Sequence, residues 1–80
     1  MKLPRDIDAN KLIKMLSRYG YQVSRQTGSH IRLATTVNGK HHITIPMHNP
    51  LQVGTLNGIL TDVAAHHQNT KSEIIQELFL

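Results

Sequence analysis

Six histidines and no cysteine set the chemistry open to this chain of 80 residues. Imidazole titrates near neutrality, with an unperturbed pKa of about 6.5, so each histidine is a candidate acid or base. His30 has the most suggestive neighbours, with Gly28 and Ser29 before it and Arg32 two positions on. In a strand, a spacing of two puts both side chains on one face. Such a pair suits phosphodiester cleavage in RNA. The substrate brings its own nucleophile in the 2′-OH, so the protein need supply only a base, an acid and positive charge at the phosphate. On that reading His30 does the acid-base work, Ser29 is a substrate contact, and Arg32, Arg25 and Lys40 are candidate phosphate contacts.

The other histidines are weaker candidates. His41 and His42 are adjacent and face opposite ways on a regular strand, so they cannot share a metal. Only His42 falls on the face of His30, as an auxiliary acid, a phosphate contact or simply a polar strand residue. His48, just beyond Pro46, is a further candidate to approach the site. His66 and His67 fall at the end of a helix, where positive charge complements the dipole. With no His-x-x-x-His spacing on a helix and no cysteine, neither a metal site nor a cofactor is expected.

The elements that must position these residues follow from periodicity. Asp8 or Asn10 can cap a helix whose apolar stripe is Leu12, Met15, Leu16 and Tyr19, ended by Gly20. Tyr21-Gln22-Val23-Ser24 alternates as a strand, and Ile31-Arg32-Leu33 does so after the tight connection Thr27-Gly28-Ser29. A second turn at Asn38-Gly39 leads to His42-Ile43-Thr44-Ile45, closed by Pro46. Residues 47–54 read as a loop. Leu56, Ile59, Leu60 and Val63 then make a second helical stripe, with Thr55 as its expected cap. Thr70-Lys71-Ser72-Glu73 is a capping box opening a third, short helix with Ile74, Ile75, Leu78 and Phe79 on its apolar face.

The order is α-β-β-β-α with an added α, an α+β fold around a three-stranded antiparallel meander. If Tyr21, Val23, Ile31, Leu33, Ile43 and Ile45 point at the helices, Gln22, Ser24, His30, Arg32, His42 and Thr44 form an open face.

Length and composition bound the rest. A chain this short builds one domain, expected over residues 1–80 with its core at about 8–67 and a helical extension at about 70–80. Hydrophobic residues, 39% of the chain, cover one sheet face and a few helices, which leaves any site on the surface or in a shallow groove. The polar opening from Met1 to Asp6 and the lack of a long apolar run predict neither a signal peptide nor a membrane span. With no cysteine, a cytoplasmic location is expected. Residues 1–50 carry eight Lys/Arg against Asp6 and Asp8, whereas residues 51–80 carry Lys71 against Asp62, Glu73 and Glu77. The basic half suits a polyanion. Aromatics are too few for recognition by base stacking, since Tyr19 and Tyr21 are assigned to the core. Gly54 and Thr55, at a helix start, are candidates to present amides to a phosphate.

The ordered set of the first helix, Gly20-Tyr21, Arg25, Gly28-Ser29-His30, Ile43-x-Ile45-Pro46-x-His48, Gly54-Thr55-Leu56 and Ile59-Leu60 resembles the HicA toxin family, also called YcfA-like, over roughly residues 10–65. The resemblance implies a fold like the double-stranded RNA-binding domain. It also implies a metal-independent mRNA endoribonuclease that stalls translation and growth, and a HicB-type antitoxin as protein partner. The family's single catalytic histidine falls on His30. The stretch from Thr70 to Leu80 extends beyond the compact form of the family and inherits no role. It could pack on the core, mediate self-association or dock the antitoxin. Two rival readings share the fold, a non-catalytic RNA-binding module and a protein-interaction domain. Metal-free RNA cleavage separates the enzyme from both, and salt-dependent RNA binding separates the two rivals.

Overall fold

The computed structural model describes residues 6–79, so Lys2 and Arg5 of the basic half, and Leu80 of the expected third helix, lie outside the described residues. Helix α1 spans Ala9–Leu16. Asp8 caps it by accepting the amide of Lys11 at 2.7 Å, which satisfies one of the donors that a helix start leaves unpaired. A 3-10 turn, Ser17–Tyr19, continues the helix to Gly20, whose φ of 83° is left-handed. A Cβ at Gly20 would lie 2.6 Å from Val37 Cγ2 and 2.8 Å from Thr35 Oγ1, so both backbone conformation and packing demand glycine here.

Three antiparallel strands follow, β1 (Gln22–Thr27), β2 (His30–Thr35) and β3 (His41–Pro46), in the spatial order β1-β2-β3. Gly28, with φ 54°, and Ser29 make the first two-residue connection. Asn38 and Gly39, both with positive φ, turn the second. Helix α2 spans Val53–His66 and α3 spans Lys71–Phe79.

The expected alternation holds on two strands and fails on the third. Ile31, Leu33, Ile43 and Ile45 are buried against the helices, while His30, Arg32, His42 and Thr44 are exposed. Strand β1, in contrast, is exposed along its whole length, and Val23, expected in the core, is 52% exposed. The helical layer covers β2 and β3 and stops short of β1, so this edge strand contributes pairing without an apolar face. Tyr21, just before it, is buried as expected.

Helix α2 begins earlier than its apolar stripe predicts. Gln52 is its N-cap, without a side-chain hydrogen bond, and Thr55 lies inside the first turn rather than capping it. Buried Leu51, whose amide donates to the Ile7 carbonyl at 2.8 Å, anchors the chain just ahead of this start. Helix α3 opens on the expected capping box. The Thr70 amide donates to Glu73 Oε1 at 2.9 Å and the Glu73 amide to Thr70 Oγ1 at 3.1 Å. These bonds hold the Glu73 carboxyl below its ordinary range. Of the roles open to this helix, packing is the one observed. Ile74, Ile75 and Leu78 are buried in the common core, and Arg18 donates to the Glu77 carbonyl at 2.9 Å.

The arrangement of α1, a three-stranded antiparallel sheet and two following helices is an α+β fold of the double-stranded RNA-binding-domain type. No described helix is long and apolar enough to cross a membrane.

Candidate functional site

His30 opens the central strand immediately after the Gly28-Ser29 turn. It pairs with Thr27 on β1 and with Pro46 on β3, so its side chain stands on the open face at one end of the sheet. The Met47 amide donates to the Ser29 carbonyl at 2.7 Å and ties the turn to the end of β3. Ser29 Oγ lies 3.5 Å from His30 Nδ1, at the outer limit of a hydrogen bond. The exposed ring keeps Nε2 free of any described protein partner.

A bulge in β1 decides what stands beside it. The register shifts between Val23 and Arg25, leaving Ser24 as the extra residue, and Ser24 Oγ donates to the Arg32 carbonyl at 3.2 Å. Without the shift Ser24 would face Arg32. With it, Arg25 pairs directly with Arg32 on the open face. Like charges in this position repel, and among the described residues the one ion pair is His41 with Asp62, so no carboxylate separates the two guanidinium groups. An anion lying between them would turn that repulsion into attraction. The pair stands two residue steps from His30, about 7 Å along the strand, within the span of a phosphodiester and its neighbours.

The structure thus brings together Ser29, His30, Arg25 and Arg32. It does not bring His42 or Lys40 to His30. His42 pairs with Ala34, four residue steps from the His30 pair, or about 13 Å along the sheet. Lys40 lines a shallow depression with Gly20, Gln22 and Thr35 at that same far end. His48 lies at the His30 end. Its amide donates to the Pro46 carbonyl at 2.8 Å, its carbonyl accepts the Ala9 amide at 3.3 Å, and its side chain is exposed.

Arg32 also reaches a second feature that the sequence only half announced. A groove of about 510 Å³ runs between β3 and α2, walled by Arg32, His42 and Thr44 of the sheet and by Gly54, Thr55, Gly58 and Asp62 of the helix. Gly54 and Thr55 were legible as a helix start facing a possible anion. Gly58, four residues after Gly54 in an apolar-striped helix, carries a readable signal, whereas nothing local marks Asp62.

Behind the groove lies a polar cluster that strand alternation could not reveal. His41 Nε2 is 3.2 Å from Asp62 Oδ1, and its Nδ1 is 2.7 Å from the hydroxyl of buried Tyr21. That hydroxyl is in turn 3.2 Å from His67 Nε2. Neutral imidazoles satisfy the chain in one direction, with His67 donating to Tyr21, Tyr21 to His41 and His41 to Asp62. Burial, with the nearby Asp62 charge, pushes the Tyr21 hydroxyl up to about 12. Burial, then His66 and His41, hold His67 below the ordinary histidine value. His66 donates through Nε2 to the carbonyls of Val37 and Gly39, each at 3.0 Å, and stacks on His41 with ring centroids 4.3 Å apart. His66 and His67 are therefore tied into tertiary contacts, beyond the helix-dipole role expected of them. Among the described residues no group of three or more histidine or carboxylate side chains is arranged to hold a metal ion.

A family model described as the HicA toxin of bacterial toxin-antitoxin matches residues 9–64. The match runs from the start of α1 into the last turns of α2 and takes in Arg25, Ser29, His30 and Arg32 and the groove residues, but not His66 or His67. No curated relative and no solved structure matches the chain.

Proposed function

The chain belongs to the HicA toxin family of bacterial toxin-antitoxin systems, and from that membership we propose that it is an endoribonuclease that cuts mRNA with His30 as its acid-base residue. The observation that carries the reading is the bulge that sets Arg25 in register with Arg32, two residue steps from exposed His30, with neither arginine in an ion pair among the described residues. A phosphodiester lying across them has both of its non-bridging oxygens within reach of guanidinium donors. His30 takes the proton of the 2′-OH. The 2′-oxygen attacks phosphorus, the P–O5′ bond breaks, and the imidazolium returns a proton to the departing 5′-oxygen. The products are a 2′,3′-cyclic phosphate and a 5′-hydroxyl, and the step balances without a metal or a covalent enzyme intermediate. The arginines stabilise the charge that builds on the phosphorane oxygens, the kind of term that commonly dominates such catalysis. Ser29, beside Nδ1, orients the ring.

The partner on this reading is a HicB-type antitoxin in the same cytoplasm. It offers carboxylates to Arg25 and Arg32 in place of phosphates and covers His30, so RNA and antitoxin compete. The test is cleavage of a defined mRNA in EDTA by the purified chain and by His30→Ala. Metal-free cleavage that His30→Ala abolishes supports the reading. RNA binding with no cleavage by the unsubstituted chain favours a non-catalytic RNA-binding module instead, and cleavage that survives in His30→Ala removes His30 from the chemistry.

A further inference from the structure

The groove between β3 and α2 is continuous with the open face through Arg32, His42 and Thr44, and of these Arg32 is the one in register with Arg25, two residue steps from His30. We infer that this groove is a second RNA-binding site that seats a nucleotide next to the one being cut. Arg32 and His42 take its phosphate on the sheet side, and Asp62 accepts from a donor on its base on the helix side. The inference rests on the endoribonuclease reading for its substrate class.

Three observations support it independently. The volume, about 510 Å³, falls within the range of small-ligand clefts, and the cavity opens to solvent at the edge of the sheet rather than being sealed in the core. Its walls are chemically divided, with the Arg32 guanidinium, the His42 imidazole and the Thr44 hydroxyl opposite a carboxylate, as a nucleotide with an anionic phosphate and a donor-bearing base requires. Asp62 is also held in place. His41 engages one of its oxygens and is itself anchored by buried Tyr21, and the carboxylate is exposed and lines the groove.

Gly54 and Gly58 keep the wall low. A Cβ at either position would meet nothing within 4 Å, so no contact inside the chain requires glycine there, and both are exposed. Glycine in a helix interior is unfavourable relative to alanine, which leaves the open groove itself as the feature these positions preserve.

Gly58→Gln tests the site, because its Cβ enters open space, its side chain projects from the groove wall, and it replaces a weak helix former with a good one. The probe is a fluorescein-labelled single-stranded RNA of about 12 nucleotides, a length of the order that one small domain covers. In the His30→Ala background, which leaves the RNA uncut, Gly58→Gln is expected to weaken binding roughly tenfold, the loss of about one good contact. In the catalytically intact chain it lowers kcat/KM by a similar factor. Asp62→Asn, which still accepts from His41, is expected to redistribute cut positions along the RNA more than it changes total cleavage. Binding within twofold, together with unchanged cut positions in both variants, overturns the inference and leaves the groove to a protein partner. The two readings fail separately. A chain that binds RNA through the groove but never cuts it loses the catalytic reading alone. A chain that cuts identically with the groove filled loses the groove alone.

Discussion

The two ends of the sheet use the same residue type in opposite ways. At one end His30 stands exposed, with one marginal contact to Ser29 and two mutually repelling arginines nearby. At the other, His41, His66 and His67 have ring nitrogens engaged by Asp62, by the carbonyls of Val37 and Gly39, and by a buried tyrosine hydroxyl. A satisfied imidazole is a structural part whose proton is committed. An exposed one near two like-charged arginines is free to meet a ligand, and on the proposed reading the local cost of the repulsion is offset when an anion binds. The lesson concerns surroundings rather than residue counts. Six histidines in the sequence carry little information about catalysis until their hydrogen bonds are known.

The largest expected effect lies at the His30 end. His30→Ala should lower RNA cleavage by on the order of 10² to 10⁴ while changing unfolding free energy by less than about 0.5 kcal/mol, because an exposed strand side chain packs against little. Initial rates on a labelled RNA, with denaturant melts alongside, measure both. A strongly destabilised His30→Ala chain would erase the contrast between the two ends.

Tyr21→Phe should show the reverse pattern. It leaves His41 Nδ1 and the His67 donor without their shared hydroxyl partner, at a cost of about 1–3 kcal/mol. Cleavage per folded molecule should hold. If activity collapses while stability survives, the polar cluster belongs to the chemistry after all.

Titration sharpens the comparison further. His67 is held below 6.5 in the folded chain, so the unfolded chain binds the extra proton first and stability falls as the pH drops below about 6.5. His67→Gln should flatten that acid limb in melts taken at a series of pH values. At the other extreme Tyr21, raised from 10.0 to about 12, stabilises the fold below pH 10 and loses that contribution as the pH climbs toward 12. Tyr21→Phe should remove this alkaline limb, and an alkaline limb that persists unchanged would assign it to other groups.

The smallest effect is expected on the exposed edge. Val23→Thr should alter stability by no more than about 0.5 kcal/mol, since the valine is half in solvent and threonine keeps the β-branched shape. A larger loss in thermal melts would mean that β1 is packed more closely than its exposure shows.

Several levels of this protein were legible from local rules. The α1 cap at Asp8, the left-handed Gly20, the Gly28-Ser29 and Asn38-Gly39 turns and the capping box of α3 each depend on contacts within about four residues, which a sequence displays directly. Alternation placed Ile31, Leu33, Ile43 and Ile45 inside and His30 and Arg32 outside, because side chains on a strand repeat every two residues. The ordered motifs led to the family that the match over residues 9–64 then showed. Tertiary structure alone decided the rest. Whether Val23 is covered depends on how far a helical layer reaches across a sheet, and whether Arg25 meets Arg32 depends on one extra residue in an edge strand. Neither is a periodic signal. The bonds of Tyr21 with His41 and His67, and the groove that joins Arg32 to Asp62, unite residues 20 to 46 positions apart. Such contacts arise only when the helices settle on the sheet, since no local preference specifies a partner at that distance along the chain.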